Sequence, residues 1–211
     1  MNLNNFISLD EVLIIDDVLT DTEITSMEGI FLSNSFPWYF PVMSRQYNEK
    51  TNNFNYYTCS PAYANRHGDA NTFEAPQLVH EFVYEGHAID KNTYCIDFLI
   101  DKLCKKFKKK FDFTRIKANC QFKQNYNDNA HNTRHRDQNF VDHLVMIYYV
   151  NSSDGNTKIF KEDTYDILTE VEPKAGRFVI FNGIHNHAGI HPKLNDYRIV
   201  INFNIVNISE E

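Results

Sequence analysis

From residue 115 onward the chain is a succession of short apolar segments cut by turns, and this pattern restricts the fold more than any other feature. Arg115 to Lys123 alternates with period two, so that Ile116, Ala118, Cys120 and Phe122 fall on one face. Side chains at i and i+2 share a face in extended backbone. The same pattern predicts strands over 143–150, 157–161, 166–172, 176–182 and 197–206. Turn-forming residues separate them: Ser152-Ser153-Asp154-Gly155-Asn156, Pro173-Lys174-Ala175-Gly176 and His191-Pro192-Lys193-Leu194-Asn195-Asp196. Many short strands with regular turns predict a sandwich or barrel, here a double-sheet jelly roll.

The first half reads differently. Val12-Leu13-Ile14-Ile15 predicts a strand. Thr20 and Glu23 stand in capping-box positions, and Ile24, Met27 and Phe31 follow at helical spacing. A second helix is predicted over 93–107, with Ile96, Leu99, Ile100, Leu103 and Phe107 on one stripe. Residues 36–75 are polar, aromatic and rich in asparagine, which predicts irregular structure with short strands. Trp38, Tyr39, Tyr56, Tyr57 and Tyr63 in that stretch suit either a site entrance or irregular core packing. The expected class is α+β, mainly β, in one domain over 1–211. Residues 1–114 form a helical and loop support packed on one sheet, and 115–207 form the jelly-roll core.

Composition narrows the function. A net charge of -7 argues against nucleic acid as a partner. The run Lys105 to Lys110 is the one basic cluster, and it reads as a solvated helix end. Cys59, Cys95, Cys104 and Cys120 form no CxxC pair and fit no zinc spacing. They predict reduced, buried thiols and a cytoplasmic, intracellular protein without a signal peptide. No apolar stretch approaches the ~20 residues of a membrane span.

Two side chains of His135-Arg136-Asp137 can share a strand face and address one ion. A third ligand must come from elsewhere, and His185, His187 and His191 are the supply. His187 is preferred, because it sits where the chain has turned back after the apolar strand ending at Phe181 and before the one carrying Arg198. His185 would share its face in an extended segment and is the main rival. A second HxD, His67-Gly68-Asp69, lies among Gly, Asn and Asp and reads as a turn. Two imidazoles and one carboxylate suit Fe(II), leaving adjacent positions open for a bidentate 2-oxoacid and O2.

Arg198, Val200 and Asn202 share one face of the last strand, and Ile199, Ile201 and Phe203 share the other. If the Ile/Phe face packs outward, Arg198 points into the barrel, where a bidentate guanidinium suits a ligand carboxylate. Tyr149 and Tyr126 are inward candidates that could assist, or plain core aromatics. Val145, Ile147, Val200 and Phe178 are expected in the dry wall of the site.

In this order, HxD, a histidine about fifty residues on and a basic residue further along, the chain resembles the Fe(II)/2-oxoglutarate-dependent dioxygenases, best the prolyl 4-hydroxylase-like branch. Tyr148-Tyr149-Val150-Asn151, Asp154-Gly155-Asn156-Thr157, Lys174 to Phe181 and His187-Ala188-Gly189 with Pro192 resemble its motif segments. The first half, with Ile14 to Thr20 and Phe36 to Tyr39, resembles uncharacterised viral and microbial members. The resemblance implies a double-stranded β-helix core, iron ligands at His135, Asp137 and His187, and 2-oxoglutarate held by Arg198 with Tyr149. It implies hydroxylation of an unactivated C–H bond, in a prolyl or other amino-acid side chain of a protein or in a small molecule, with release of succinate and CO2. Two other readings compete: a cupin-like metal-binding module, and a metalloenzyme on the same barrel that needs no 2-oxoglutarate.

Overall fold

Capping chemistry and apolar stripes set the two helices. The computed structural model describes residues 3, 6–40, 45–48, 53–56, 77–90, 93–125, 131–138, 142–162 and 164–210. Helix α1 (Asp21–Phe31) starts at Thr20, whose hydroxyl accepts from Glu23 N while Glu23 Oε2 accepts from Thr20 N at 2.9 Å. Such a cap contributes about 1 kcal/mol. Helix α2 (Tyr94–Phe107) buries Cys95, Ile96, Leu99 and Leu103 on one stripe and ends at Lys108 in the left-handed region, φ 54°. Three lysines of the run at its end are ion-paired: Lys105 meets Asp101 at 2.6 Å, Lys106 meets Asp17 at 2.9 Å, and Lys109 pairs with Glu210.

The strands are β1 (Val12–Ile15), β2 (Arg45–Asn48), β3 (Asn53–Tyr56), β4 (Gln77–Tyr84), β5 (His87–Ala88), β6 (Lys109–Phe122), β7 (Leu144–Tyr149), β8 (Thr157–Phe160), β9 (Ile167–Val171), β10 (Phe178–Asn182), β11 (His187–Gly189) and β12 (Tyr197–Glu210). The larger sheet runs β1-β10-β7-β12-β6-β4-β5 and the smaller runs β11-β8-β9, with β2-β3 a separate hairpin. All these pairings are antiparallel. This is a jelly roll with helices on one sheet, a mainly β member of the α+β class.

Alternation along the strands divides the larger sheet into two faces. Ile199, Ile201, Phe203, Tyr148, Met146 and Phe178 pack with Met27, Phe31, Leu99 and Leu103 of the helices. On the opposite face Val145, Ile147, Tyr149, Val179, Phe181 and Val200 pack against Ile159 and Val171 of the smaller sheet. Phe178, expected in the inner wall, therefore lies under the helices. Val179 and Phe181 take the inner positions because β10 alternates from the next residue. Strand β4 has no clear signal in the sequence. Its His80 sits among Phe36, Phe82 and Tyr39, with ring nitrogens 2.8 Å from Pro37 O and from Asp90 Oδ2. The 36–75 stretch contributes the β2-β3 hairpin, and Tyr39 bridges to Val79. Tyr57, Tyr63, Cys59 and the His67-Gly68-Asp69 turn lie outside the described residues. No described helix is long and apolar enough to cross a membrane.

The end of β1 is tied to the start of β10 through Asp16, which accepts from Arg177 Nε at 2.7 Å and Nη2 at 3.0 Å. The guanidinium holds the Asp16 carboxyl below its usual range. Because the folded pKa is depressed, this stabilisation is present above the unfolded value near 3.8 and is lost as pH falls through the folded one. Asp16 is partly exposed, so the term is small, under ~1 kcal/mol. Urea unfolding of Asp16→Asn is expected to fall slightly below wild type at pH 7 and to match it at a pH acid enough to protonate Asp16 in the folded protein. An equal deficit at both values would disprove the linkage.

Candidate metal centre

His135 and His187 face each other as an isolated antiparallel bridge that extends the smaller sheet beyond β11. Each backbone N–H donates to the other residue's carbonyl, at 3.1 and 3.0 Å. Directly opposed residues send their side chains to the same face, and Asp137, two residues past His135, joins them. The imidazole centroids are 4.6 Å apart. Asp137 Oδ1 lies 3.5 Å from His135 Nε2 and 3.9 Å from His187 Nε2. Among the described residues this trio is the group of His, Cys, Asp and Glu whose ligand atoms converge, all within 4.8 Å of one another. Ligand atoms about 2.0–2.2 Å from one ion stand roughly 3–4 Å apart, so a small closure accommodates a metal.

Two of the three side chains are oriented by a neighbour. His135 Nδ1 donates to Thr133 O at 3.1 Å, which leaves Nε2 for a metal. Asp137 Oδ2 accepts from Asn204 Nδ2 at 2.8 Å, which turns Oδ1 toward both imidazoles. Asn204 is buried on β12, in line with Arg198, Val200 and Asn202. A bulge at Asn204/Ile205 leaves Thr114 out of register, and its hydroxyl accepts from the side chain of Gln138. The residue next to Asp137 is thereby pinned to β6. His187 is buried, and neither of its ring nitrogens has a hydrogen-bond partner among the described residues. Such orphaned nitrogens are uncommon and fit a ligand position.

The electrostatics of His187 and Asp137 suit a cation. Burial pushes the His187 pKa down to about 4, so its ring is neutral. Burial alone would raise the Asp137 pKa, but the two histidines and Asn204 hold it well below the ordinary range. Burial opposes charge on His135 too. That side chain is 52% exposed, however, and the hydrogen bond and charge of Asp137 outweigh the effect and raise its pKa.

The other histidines point elsewhere. His185 Nε2 lies 2.8 Å from Leu9 O, and His191 Nδ1 lies 3.2 Å from Phe122 O. His131 packs its ring on Phe160. His143 is buried against Gly183, where an added Cβ would collide with the imidazole.

A second polar cluster lies further along β12. Arg198 is buried, with Nε donating to Gly155 O at 2.6 Å, Nη1 to Gln121 Oε1 at 2.7 Å and Nη2 to Thr157 Oγ1 at 2.6 Å. The Tyr149 hydroxyl donates to the same Thr157 oxygen at 2.7 Å, and burial keeps that phenol protonated. Thr157, Gln121 and Asn204 were not identified from sequence, although Asn204 continues the period-two face of Arg198. Tyr126 lies outside the described residues. Gly155 makes the seat possible: a Cβ there would lie 2.9 Å from Arg198 Cδ, 3.1 Å from Pro192 N and closer still to Ile190 O. Backbone cannot yield as a flexible side chain does. Gly155→Ala is therefore expected to cost about 3 kcal/mol and lower Tm by roughly 10 °C. A melt within 2 °C of wild type would contradict that packing.

Residues 120–206 match the model of the 2OG-Fe(II) oxygenase superfamily. No curated protein matches the chain. Among solved structures, an oxidoreductase of the 2OG-Fe(II) oxygenase family from Burkholderia pseudomallei superposes with a TM-score of 0.60 at 9% identity, covering 94% of this chain and 87% of that one. AviO1 from Streptomyces viridochromogenes Tue57 gives 0.54 at 12%, over 94% and 90%. A prolyl hydroxylase from Trichoplax adhaerens, in complex with a hypoxia inducible factor peptide fragment, gives 0.51 at 14%, over 97% and 86%. At these identities the structural likeness is one of fold, and the family likeness lies in the segment 120–206, the part of the chain that matches the 2OG-Fe(II) oxygenase model.

Proposed function

We propose that this oxygenase hydroxylates an unactivated C–H bond of an amino-acid side chain, free or within a peptide, with prolyl among the candidates and with succinate and CO2 as by-products. The observation that carries the reading is the opposed pair His135–His187 with Asp137 beside it: two imidazole donors and one carboxylate on one face of a site. In this reading the three residues hold Fe(II) and leave the remaining positions to 2-oxoglutarate and O2. Metal, cosubstrate and O2 together supply the oxidising chemistry.

The protein's own part is positioning and exclusion of water. Arg198 grips the distal carboxylate of 2-oxoglutarate, with Tyr149 and Thr157 completing its seat. Asn204 fixes the Asp137 carboxylate. Val145, Ile147, Val179 and Phe181 give the inner wall a dry half. A peptide substrate is in keeping with the peptide held by the Trichoplax structure.

Anaerobic titration with Fe(II) and 2-oxoglutarate should produce a visible charge-transfer band, and succinate release should require Fe(II), O2 and 2-oxoglutarate together. Metal binding with no such band would favour a metal-binding module. Turnover without 2-oxoglutarate would favour a different metalloenzyme.

A further inference from the structure

The segment that carries His135 lies along β11, the end strand of the smaller sheet, on the side away from β8. Its backbone hold there is short. Asn132 N donates to Gly189 O at 2.9 Å, and His135 exchanges hydrogen bonds with His187 at 3.1 and 3.0 Å. Edges held by so few bonds open at little cost in free energy. The His135 side chain is itself 52% exposed, so core packing does little to fix it.

A further hold comes from the residue before it. Arg134 reaches the turn between β8 and β9, where its Nη1 donates to Thr164 O at 2.5 Å. The guanidinium lies 3.6 Å from the Tyr165 ring centroid and 5.1 Å from that of Phe160. Phe160 is buried, and its ring also packs on His131 at 5.4 Å between centroids. A cation over an aromatic face is attracted by the ring, and a guanidinium can stack and donate at once. The same hairpin locates the other histidine: His187 pairs with Ile159 on β8, and Phe160 N donates to Asn186 O at 2.8 Å. Arg134 thus refers His135 to the strand that already fixes His187.

The charge of Arg134 by itself repels a cation held by its neighbour. Deleting that charge alone should tighten metal binding, whereas losing the hold on His135 should weaken it.

We propose that Arg134 is a positioning residue: its stack on Tyr165 and Phe160, with its bond to Thr164 O, keeps His135 opposite His187 and thereby sets the metal affinity of the site. The effect on the metal rests on the ligand assignment above; the hold on the backbone does not.

Amide hydrogen exchange on the metal-free full chain tests the hold. Arg134→Met keeps an apolar stem without the guanidinium. In it the N–H groups of Asn132, His135 and His187 should exchange faster than in wild type, and those of β12 should not change. Arg134→Lys keeps the charge without the planar stack and should fall between the two. Unchanged exchange at His135 in Arg134→Met overturns the proposal.

Mn(II) binding, followed by the electron paramagnetic resonance of the free ion, tests the consequence. Groups that orient a ligand typically alter metal affinity by about 10–100-fold. The Mn(II) Kd should therefore rise by about tenfold or more in Arg134→Met and by less in Arg134→Lys. Tyr165→Leu should also raise it. Combining Tyr165→Leu with Arg134→Met should add little, because both remove one contact. The Kd for 2-oxoglutarate at saturating Fe(II) should stay at the wild-type value. A Kd for Mn(II) that is unchanged or lower in Arg134→Met, or losses that add in full in the double variant, overturns the proposal. If wild type binds no Mn(II) while exchange at His135 responds as expected, the ligand assignment fails, the metal half of the proposal falls with it, and the hold stands. If Arg134→Met does not fold, Arg134→Lys and Tyr165→Leu decide both measurements.

Discussion

Asp137→Ala is expected to give a folded protein that binds no divalent metal and releases no succinate. The Asp137 side chain is only 5% exposed, and its two oxygens do separate jobs. Oδ2 is held by Asn204, and Oδ1 faces both imidazoles. Removing the carboxylate takes away the only anionic donor of the trio and leaves two imidazoles, a poor match for a hard divalent cation. Loss of an outer hydrogen-bond partner alone weakens metal binding by about 10–100-fold. Asn204→Ala should fall in that range, and Asp137→Ala should exceed it. The fold should survive, because the unpaired Asn204 amide costs only ~1–3 kcal/mol. Thermal melts with Mn(II) as a redox-stable probe separate the outcomes. At a concentration 100 times Kd a bound ion stabilises by about 2.7 kcal/mol, so wild type should melt several degrees higher with metal. Asp137→Ala should not respond, and Asn204→Ala should respond only at higher metal. A full metal-induced shift in Asp137→Ala would exclude this carboxylate as a ligand.

The elements of this fold were legible where periodicity and turn chemistry agree. The strand β12 alternates cleanly, so its burial against the helices and the inward direction of Arg198 follow from sequence. Thr20 and Glu23 announce α1 through local hydrogen bonds that need no tertiary partner. Strand β4 was not legible: His80 interrupts its apolar face, and the histidine is acceptable there only because Pro37 and Asp90, distant in sequence, satisfy it. At the site, spacing alone left His185 and His187 in competition. A cross-strand bridge separates them. It sets His187 opposite His135, while the Leu9 carbonyl draws His185 to the other side. Thr157, Asn204 and Thr114 were invisible for a similar reason. Each acts by contact with a residue more than twenty positions away, and a lone Thr or Asn in a strand gives no local sign of it.

Arg198→Leu is expected to abolish 2-oxoglutarate binding while leaving metal binding in place. The guanidinium lies in a buried nest of neutral oxygens from Gly155, Gln121 and Thr157, at 2.6 to 2.7 Å. Leucine would leave these acceptors without their donor, and deleting one partner of a buried charged network typically costs ~3–5 kcal/mol. A sizeable fall in Tm therefore accompanies the binding defect, so one variant cannot apportion the two. Arg198→Lys keeps the charge but loses the planar fork that a carboxylate accepts in bidentate fashion. Thr157→Val keeps the shape but removes the oxygen that orients both Arg198 and Tyr149. The expected order of Kd for 2-oxoglutarate, read from the anaerobic band, is wild type, then Thr157→Val, then Arg198→Lys, with Arg198→Leu showing no saturation. Mn(II) should raise Tm by a similar amount in every variant that folds, because none of the changes touches His135, Asp137 or His187. If Arg198→Leu fails to fold, the two milder variants still decide the matter. Wild-type Kd in both Arg198→Lys and Thr157→Val would remove Arg198 from the cosubstrate site and return it to a purely structural role.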